Sequence, residues 1–106
     1  MLATLAYFAS FDELRFVGDA AVDDITIEFS GSTYTITDSN PAETINAAGF
    51  VDTNPASNIV EFDTTGNPVR NLRINSSAAD DFVTINSFDT ASDAGLQIFD
   101  LSLIHI

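Results

Sequence analysis

The sequence predicts an all-β fold: a right-handed β-solenoid fragment of about two 58-residue units, with a β-hairpin in each unit. The first observation behind it is an internal repeat. Residues 14–27 (LRFVGDAAVDDITI) align without a gap with residues 72–85 (LRINSSAADDFVTI), at an offset of 58 (72 − 14). A fixed repeat period is typical of architectures whose units cannot bury an apolar face alone and stack on their neighbours.

Two further observations favour strands over helices. Threonine and β-branched aliphatic residues occur in short alternating runs, which suits a half-buried strand. Gly31-Ser32 is a two-residue hairpin signal between two such runs. The alternative is an antiparallel β-sandwich, since its strand spacing and hairpins give a similar pattern.

The repeat divides the chain into three parts. Residues 14–71 form unit 1, residues 72–106 form a truncated unit 2, and residues 1–13 are the end of a preceding unit or a cap. The identical positions in the two copies are Leu14/Leu72, Arg15/Arg73, Ala20/Ala78, Ala21/Ala79, Asp23/Asp81, Thr26/Thr84 and Ile27/Ile85. With 106 residues, the chain is one domain at most or a piece of a longer array.

The two ends of the chain differ in character. Near the start, apolar residues recur at helical spacing and predict a short helix, with a strand as the alternative. Those residues are Leu2, Leu5, Ala6 and Ala9. At the other end, residues 101–106 (LSLIHI) resemble a translated sequencing-adapter tail from assembled metagenomic reads. The alternative is a final strand through Leu101, Leu103 and Ile104.

Unit 1 contains the clearest strands. Residues 14–17 form a short strand, and residues 18–24 form a small acidic turn. The next two runs, 25–29 and 33–38, form a hairpin with every apolar side chain on one face. The predicted register pairs Ser30 with Thr33, Phe29 with Tyr34 and Ile27 with Ile36.

The rest of the chain is less regular. Residues 42–58 are weakly patterned, and we expect Ile45, Phe50 and Val51 to point inward. Residues 59–62 form a strand. In unit 2 the hairpin recurs as residues 83–85 and 95–100, with a tip four residues longer that carries Asp89 and Asp93.

Composition limits the classes of partner. The net charge is −13, from 16 acidic residues against three arginines and no lysine. Such a surface repels nucleic acid. No apolar run approaches the length of a membrane span, so we expect no membrane insertion. Cysteine is absent, which excludes disulfides and thiolate metal sites.

Each copy has an acidic turn that leads into a strand. Several carboxylates on one turn are suitable ligands for Ca²⁺, which binds many oxygen atoms at once. The candidate ligands are Asp19, Asp23 and Asp24 in the first copy, and Asp80 and Asp81 in the second. The alternative is that these aspartates form turns by bonding to their own backbone. No other cofactor is predicted.

These acidic turns, with strands reading roughly Asp-x-Ile-Thr-Ile, resemble the Asp-rich repeats of large secreted or surface-anchored bacterial proteins, the degenerate, hemolysin-type β-solenoids among them. The resemblance covers residues 14–38 and 72–100 and implies an extracellular or cell-surface location. The chain departs from the calcium-binding Gly-Gly-x-Gly-x-Asp pattern. Only Gly18 is present near the first turn, and Ser76-Ser77 stands in the second.

The sequence is compatible with three functions. The first is a non-catalytic structural or adhesive segment, whose partners are neighbouring repeats and a carbohydrate or other cell-surface ligand. The second is a calcium-stabilised secreted module, in which cation binding drives folding. The third is a carbohydrate-active β-helix enzyme, in which Asp63, Asp80 or Asp81 converges with another acid. No catalytic residue is assigned, because adjacent carboxylates on a strand point to opposite faces.

Two further residue types have structural interpretations. Arg15 and Arg73 occupy the outward positions of their strands and are predicted to contact neighbouring aspartates. The aromatic residues are predicted to lie in the core or in stacked ladders. His105 lacks a Ser or Asp partner by motif, so a Ser-His-Asp site is not supported.

Overall fold

The computed structural model describes residues 2–18, 24–75, 82–87, 95–99 and 103–105. These residues form ten strands and one 3₁₀ helix, Ala9–Phe11. The strands are β1 Leu2–Phe8, β2 Glu13–Val17, β3 Asp24–Ser30, β4 Thr33–Asp38, β5 Thr44–Ala48, β6 Ile59–Asp63, β7 Asn71–Asn75, β8 Phe82–Ile85, β9 Gly95–Phe99 and β10 Leu103–His105. No helix in the described part of the chain has the length and apolar character of a membrane span.

The strands form two five-stranded sheets. Sheet A has the order β5-β1-β2-β7-β9, and sheet B has the order β10-β8-β3-β4-β6. Both sheets mix parallel and antiparallel pairs. Their inner faces pack on each other around one apolar core, whose largest members are Tyr34, Phe16, Phe62, Leu5 and Leu14.

Alternation along each strand explains which face is buried. In β4, Tyr34 and Ile36 are fully buried, while Thr33, Thr35 and Thr37, which alternate with them, are partly exposed. The β3–β4 hairpin has the predicted register, with Phe29 opposite Tyr34 and Ile27 opposite Ile36. The hairpin prediction is therefore confirmed. The register was predictable because period-two patterning and a two-residue turn together allow only one register.

The two copies of the repeat are hydrogen-bonded to each other. In sheet A, β2 pairs with β7 in parallel and Leu14 lies opposite Leu72. In sheet B, β3 pairs with β8 in parallel and Ile27 lies opposite Ile85. In both strand pairs, each residue therefore lies opposite the residue 58 positions later in the sequence.

The predicted β-solenoid is nevertheless wrong. A solenoid is built from parallel coils, but here β1–β2, β3–β4 and β4–β6 are antiparallel pairs. After β3 the chain leaves the parallel arrangement, crosses between the sheets through β4, β5 and β6, and only then enters β7. The two mixed, open sheets fit the sandwich-like alternative, with mixed sheets in place of antiparallel ones.

The predicted hairpin of unit 2 is also wrong. Strand β8 lies in sheet B and pairs with β3 and β10, whereas β9 lies in sheet A and pairs with β7. The residues between β8 and β9, which carry Asp89 and Asp93, lie largely outside the described residues. Strands that lie in different sheets do not form a hairpin with each other.

Three local predictions need correction. Residues 2–8 form a strand and not a helix, since Ala3, Leu5 and Tyr7 are buried at a period of two. Strand β5 was missed in the weakly patterned region. Ile45 is buried as predicted, but Val51 is 84% exposed.

Candidate functional site

An open pocket of about 280 Å³ lies where the chain leaves β5 and where β6 ends. Its walls come from two segments that are distant in sequence. The lining residues are Gly49, Phe50, Val51, Phe62, Asp63 and Asn67. Pockets that combine an apolar floor with a few polar groups are the usual form of small-ligand sites.

The floor of the pocket is aromatic. Phe62 of β6 is almost fully buried, and its ring centroid lies 4.7 Å from that of Tyr7 in the opposite sheet. Phe50 meets Phe62 edge-on, at 4.9 Å and 84°. Such tilted and edge-to-face contacts are favourable arrangements of aromatic rings. Phe50 is only partly buried, so this ring keeps exposed surface at the pocket.

Tyr7 lies against both segments that form the pocket. Its hydroxyl donates a hydrogen bond of 2.8 Å to the carbonyl oxygen of Pro68, beyond the second wall. Its own carbonyl oxygen lies 2.6 Å from the point that a Cβ at Gly49 would occupy. Gly49 has φ +81, so both its backbone conformation and its close contact require glycine.

The rim of the pocket is polar. Asp63 Oδ1 accepts hydrogen bonds from the backbone N–H of Thr65 (2.9 Å) and from Ser32 Oγ (3.4 Å). The Thr65 N–H, followed by the Thr65 and Ser32 hydroxyls, holds the pKa of Asp63 below its usual value. The exposed side-chain amide of Asn67 makes no hydrogen bond to the residues that the structure describes.

A tight turn positions these two polar side chains. Asn67 donates its backbone N–H to the Thr64 carbonyl oxygen at 2.9 Å, and Gly66 adopts φ +77. The turn therefore presents a carboxylate and an amide beside an aromatic surface.

The predicted calcium ligands are only partly described. Asp24 lies at the start of β3, is exposed, and accepts a hydrogen bond from Ser39 Oγ at 3.0 Å. Asp19, Asp23, Asp80 and Asp81 lie outside the described residues. Within the described ranges, no three His, Cys, Asp or Glu side chains group as metal ligands would. The calcium site remains a prediction.

Other acidic and amide side chains form turns. At five of the residues that the structure describes, the side-chain oxygen accepts the backbone N–H two residues later, which is an Asx turn. These residues are Asp38, Asn40, Asp52, Asn54 and Asp63. Asp52 also accepts the N–H of Glu61 in the edge strand β6, at 3.0 Å.

Arg15 and Arg70 have partners nearby in the structure. Arg15 Nε donates to Glu13 Oε2 at 2.8 Å, and the guanidinium lies 4.5 Å from the Phe8 ring centroid. The acid in contact with Arg15 is thus a glutamate two residues away and not the predicted aspartate. Arg70 pairs with Asp12 at 3.1 Å on the surface.

Sequence reasoning did not identify the pocket. It singled out Phe50 as an inward residue and Asp63 as a possible catalytic acid, but without a link between them. Their shared location depends on the β4–β6 register and on the path after β5. Comparison with family models, curated proteins and solved structures finds no match.

Proposed function

We propose that this chain is a non-catalytic structural and adhesive module of an extracellular or cell-surface bacterial protein. The observation that carries the proposal is the role of the repeated residues. Leu14/Leu72 and Ile27/Ile85 are core pairs, and Arg15/Arg73 and Thr26/Thr84 are outward neighbours on paired strands. At these positions the repeated residues form the core and the strand pairs of the fold.

The acidic character of the chain supports the same proposal. Described aspartates bond to nearby backbone N–H groups and so stabilise turns and the β6 edge. These carboxylates therefore have a direct role in the fold. The abundance of acid is also suited to keeping an exposed module soluble.

A two-part experiment separates this function from its alternatives. Thermal unfolding followed by circular dichroism compares the chain with added calcium and with a chelator. In parallel, the chain is incubated with a panel of neutral and acidic polysaccharides, and released reducing ends are measured. We expect the same cooperative transition in both buffers and no reducing ends.

Each alternative gives a different result. A strand spectrum that forms only with calcium would replace the proposal with the calcium-stabilised module. Release of reducing ends that is lost in Asp63→Asn would replace it with a carbohydrate-active enzyme. The matched control for the second result is Glu28→Gln, which removes one exposed carboxylate from the outer face of β3.

A further inference from the structure

We propose that the pocket between residues 49–51 and 62–67 binds one pyranose ring of a neutral glycan. This inference rests on the proposed adhesive function and gives it a ligand class. It also assigns the contacts: Phe50 packs against the sugar ring, while Asp63 and Asn67 bond to its hydroxyls.

Pocket size favours a single ring. The volume of about 280 Å³ lies just below the range of ~300–1,000 Å³ that is common for drug-sized ligands. The pocket is open to solvent on one side, which allows a ring to enter while the rest of a chain of sugars stays outside. A single ring at the end or side of a surface glycan meets both conditions.

The floor suits the apolar face of a sugar. Phe50 keeps exposed aromatic surface, and its edge-on contact with Phe62 at 4.9 Å holds the ring in place. Tyr7 in turn supports Phe62 at 4.7 Å. The C–H groups on one face of a pyranose can pack on such a fixed ring with little loss of side-chain entropy.

The rim suits hydroxyl groups. A sugar hydroxyl both donates and accepts, and the Asn67 amide offers one group of each kind. Asp63 offers an ionised acceptor, since its hydrogen bond from Thr65 at 2.9 Å stabilises the charged form. A hydrogen bond to an ionised acceptor is stronger than one between neutral groups.

Charge restricts which sugars bind. The Asp63 carboxylate at the rim and the net charge of −13 both disfavour uronic acids, sulfated sugars and phosphates. A neutral hexose or an N-acetylated hexose avoids this repulsion.

The test is an NMR titration of the ¹⁵N-labelled chain with the methyl glycosides of glucose, mannose, galactose and N-acetylglucosamine. We expect at least one glycoside to shift the amide signals of Gly49, Phe50, Val51 and Asn67, with millimolar affinity. Glucuronic acid is the matched charged probe and is expected to cause no shift.

Variants connect the shifts to the pocket. Asn67→Ala removes an exposed amide and is expected to weaken binding about tenfold, the effect of losing one good hydrogen bond. Asp63→Asn keeps a carbonyl acceptor but removes its charge, and it is expected to weaken binding severalfold because hydrogen bonds to ionised acceptors are stronger. Asn46→Ala and Glu28→Gln change an exposed amide and an exposed carboxylate elsewhere, and are expected to leave the affinity unchanged.

Three results would overturn the inference. The first is the absence of a shift with any glycoside. The second is a shift that persists unchanged in Asn67→Ala and Asp63→Asn. The third is a shift when tetramethylammonium is added without any glycoside, which would identify a cation site. None of these results affects the unfolding and reducing-end measurements. Those two measurements therefore test the proposed function independently of glycan binding.

Discussion

Arg15 and Arg73 lie directly opposite each other on the parallel strands β2 and β7. They are equivalent residues of the internal repeat, so residues that match in the sequence are neighbours in the sheet. Paired strands lie only ~4.8 Å apart, which places two like charges on neighbouring positions. Arg15 is compensated by the Glu13 carboxylate and the Phe8 ring. The ladder therefore depends on acids placed next to it.

The Arg15–Glu13 pair is expected to matter for stability. Glu13 is buried, so Arg15→Ala leaves a carboxylate without this partner and is expected to cost about 1.5–3 kcal/mol. Arg70→Ala breaks an exposed pair with Asp12 and is expected to cost about 0–1 kcal/mol. Urea unfolding of both variants measures the difference. Equal losses would show that burial of Glu13 does not strengthen the pair.

The two repeat copies are expected to contribute equally to the core. Ile27 and Ile85 are both buried and lie opposite each other on β3 and β8. Ile27→Val and Ile85→Val are each expected to lower the free energy of unfolding by about 0.5–1.5 kcal/mol. Val17→Ala, at an exposed position, is expected to stay within about 0.5 kcal/mol. A large cost at only one isoleucine, measured by urea unfolding, would contradict this equivalence.

Gly49 is expected to be the least replaceable glycine of the turns. Gly49→Ala combines a positive φ with a contact of 2.6 Å to the Tyr7 carbonyl oxygen. We expect a loss of about 3 kcal/mol or more, above the ~1–2 kcal/mol of the backbone conformation alone. Gly31→Ala is the matched control, because it has φ +64 and nothing within 4 Å. Thermal unfolding that gives both variants the same stability would rule out the contact.

Tyr7 is expected to make stability fall at alkaline pH. Burial, and then the Asp12 carboxylate, raise the pKa of Tyr7 above 10.0. The folded state thus retains this proton more strongly than the unfolded chain. Its contribution is fully present below pH 10.0 and is lost as the pH rises through the folded-state pKa.

Tyr7→Phe tests this dependence. The variant loses the hydrogen bond to Pro68, at about 0.5–1.5 kcal/mol near neutral pH. Its stability is expected to fall less steeply than that of the wild type at alkaline pH, as measured by urea unfolding across a pH series. Parallel curves for the two proteins would assign the alkaline loss to other groups, including the general repulsion of a chain with net charge −13.

The parts of the fold that the sequence predicts well are local or repeated. The β3–β4 hairpin follows from alternation on both sides of Gly31-Ser32, and its register is confirmed. The alignment of the two copies matches residues that are also neighbours on paired strands, such as Leu14 and Leu72. What it does not encode is the path between the copies, because self-similarity constrains only the residues that match. The antiparallel passage through β4, β5 and β6 therefore went unpredicted.

The candidate site was harder to predict for the same reason. Its floor joins Tyr7 of sheet A to Phe62 of sheet B, and its rim joins Asp63 to Asn67, four residues further on. These residues meet only when the two sheets pack. Val51 illustrates the limit of pattern reading, since an apolar residue in an irregular segment carries no periodicity and proved to be exposed.

The pairing of β2 with β7 across 58 residues also has a kinetic consequence. Long sequence separation between paired strands slows folding, since loop-closure entropy is lost before the contacts form. During synthesis, the β1–β2 and β3–β4 pairs can close early, but β2 and β3 each keep an open edge until β7 and β8 leave the ribosome. A nascent chain that has not yet reached residue 71 therefore presents two unpaired edges that other chains can join, and this exposure ends only when β7 and β8 pair.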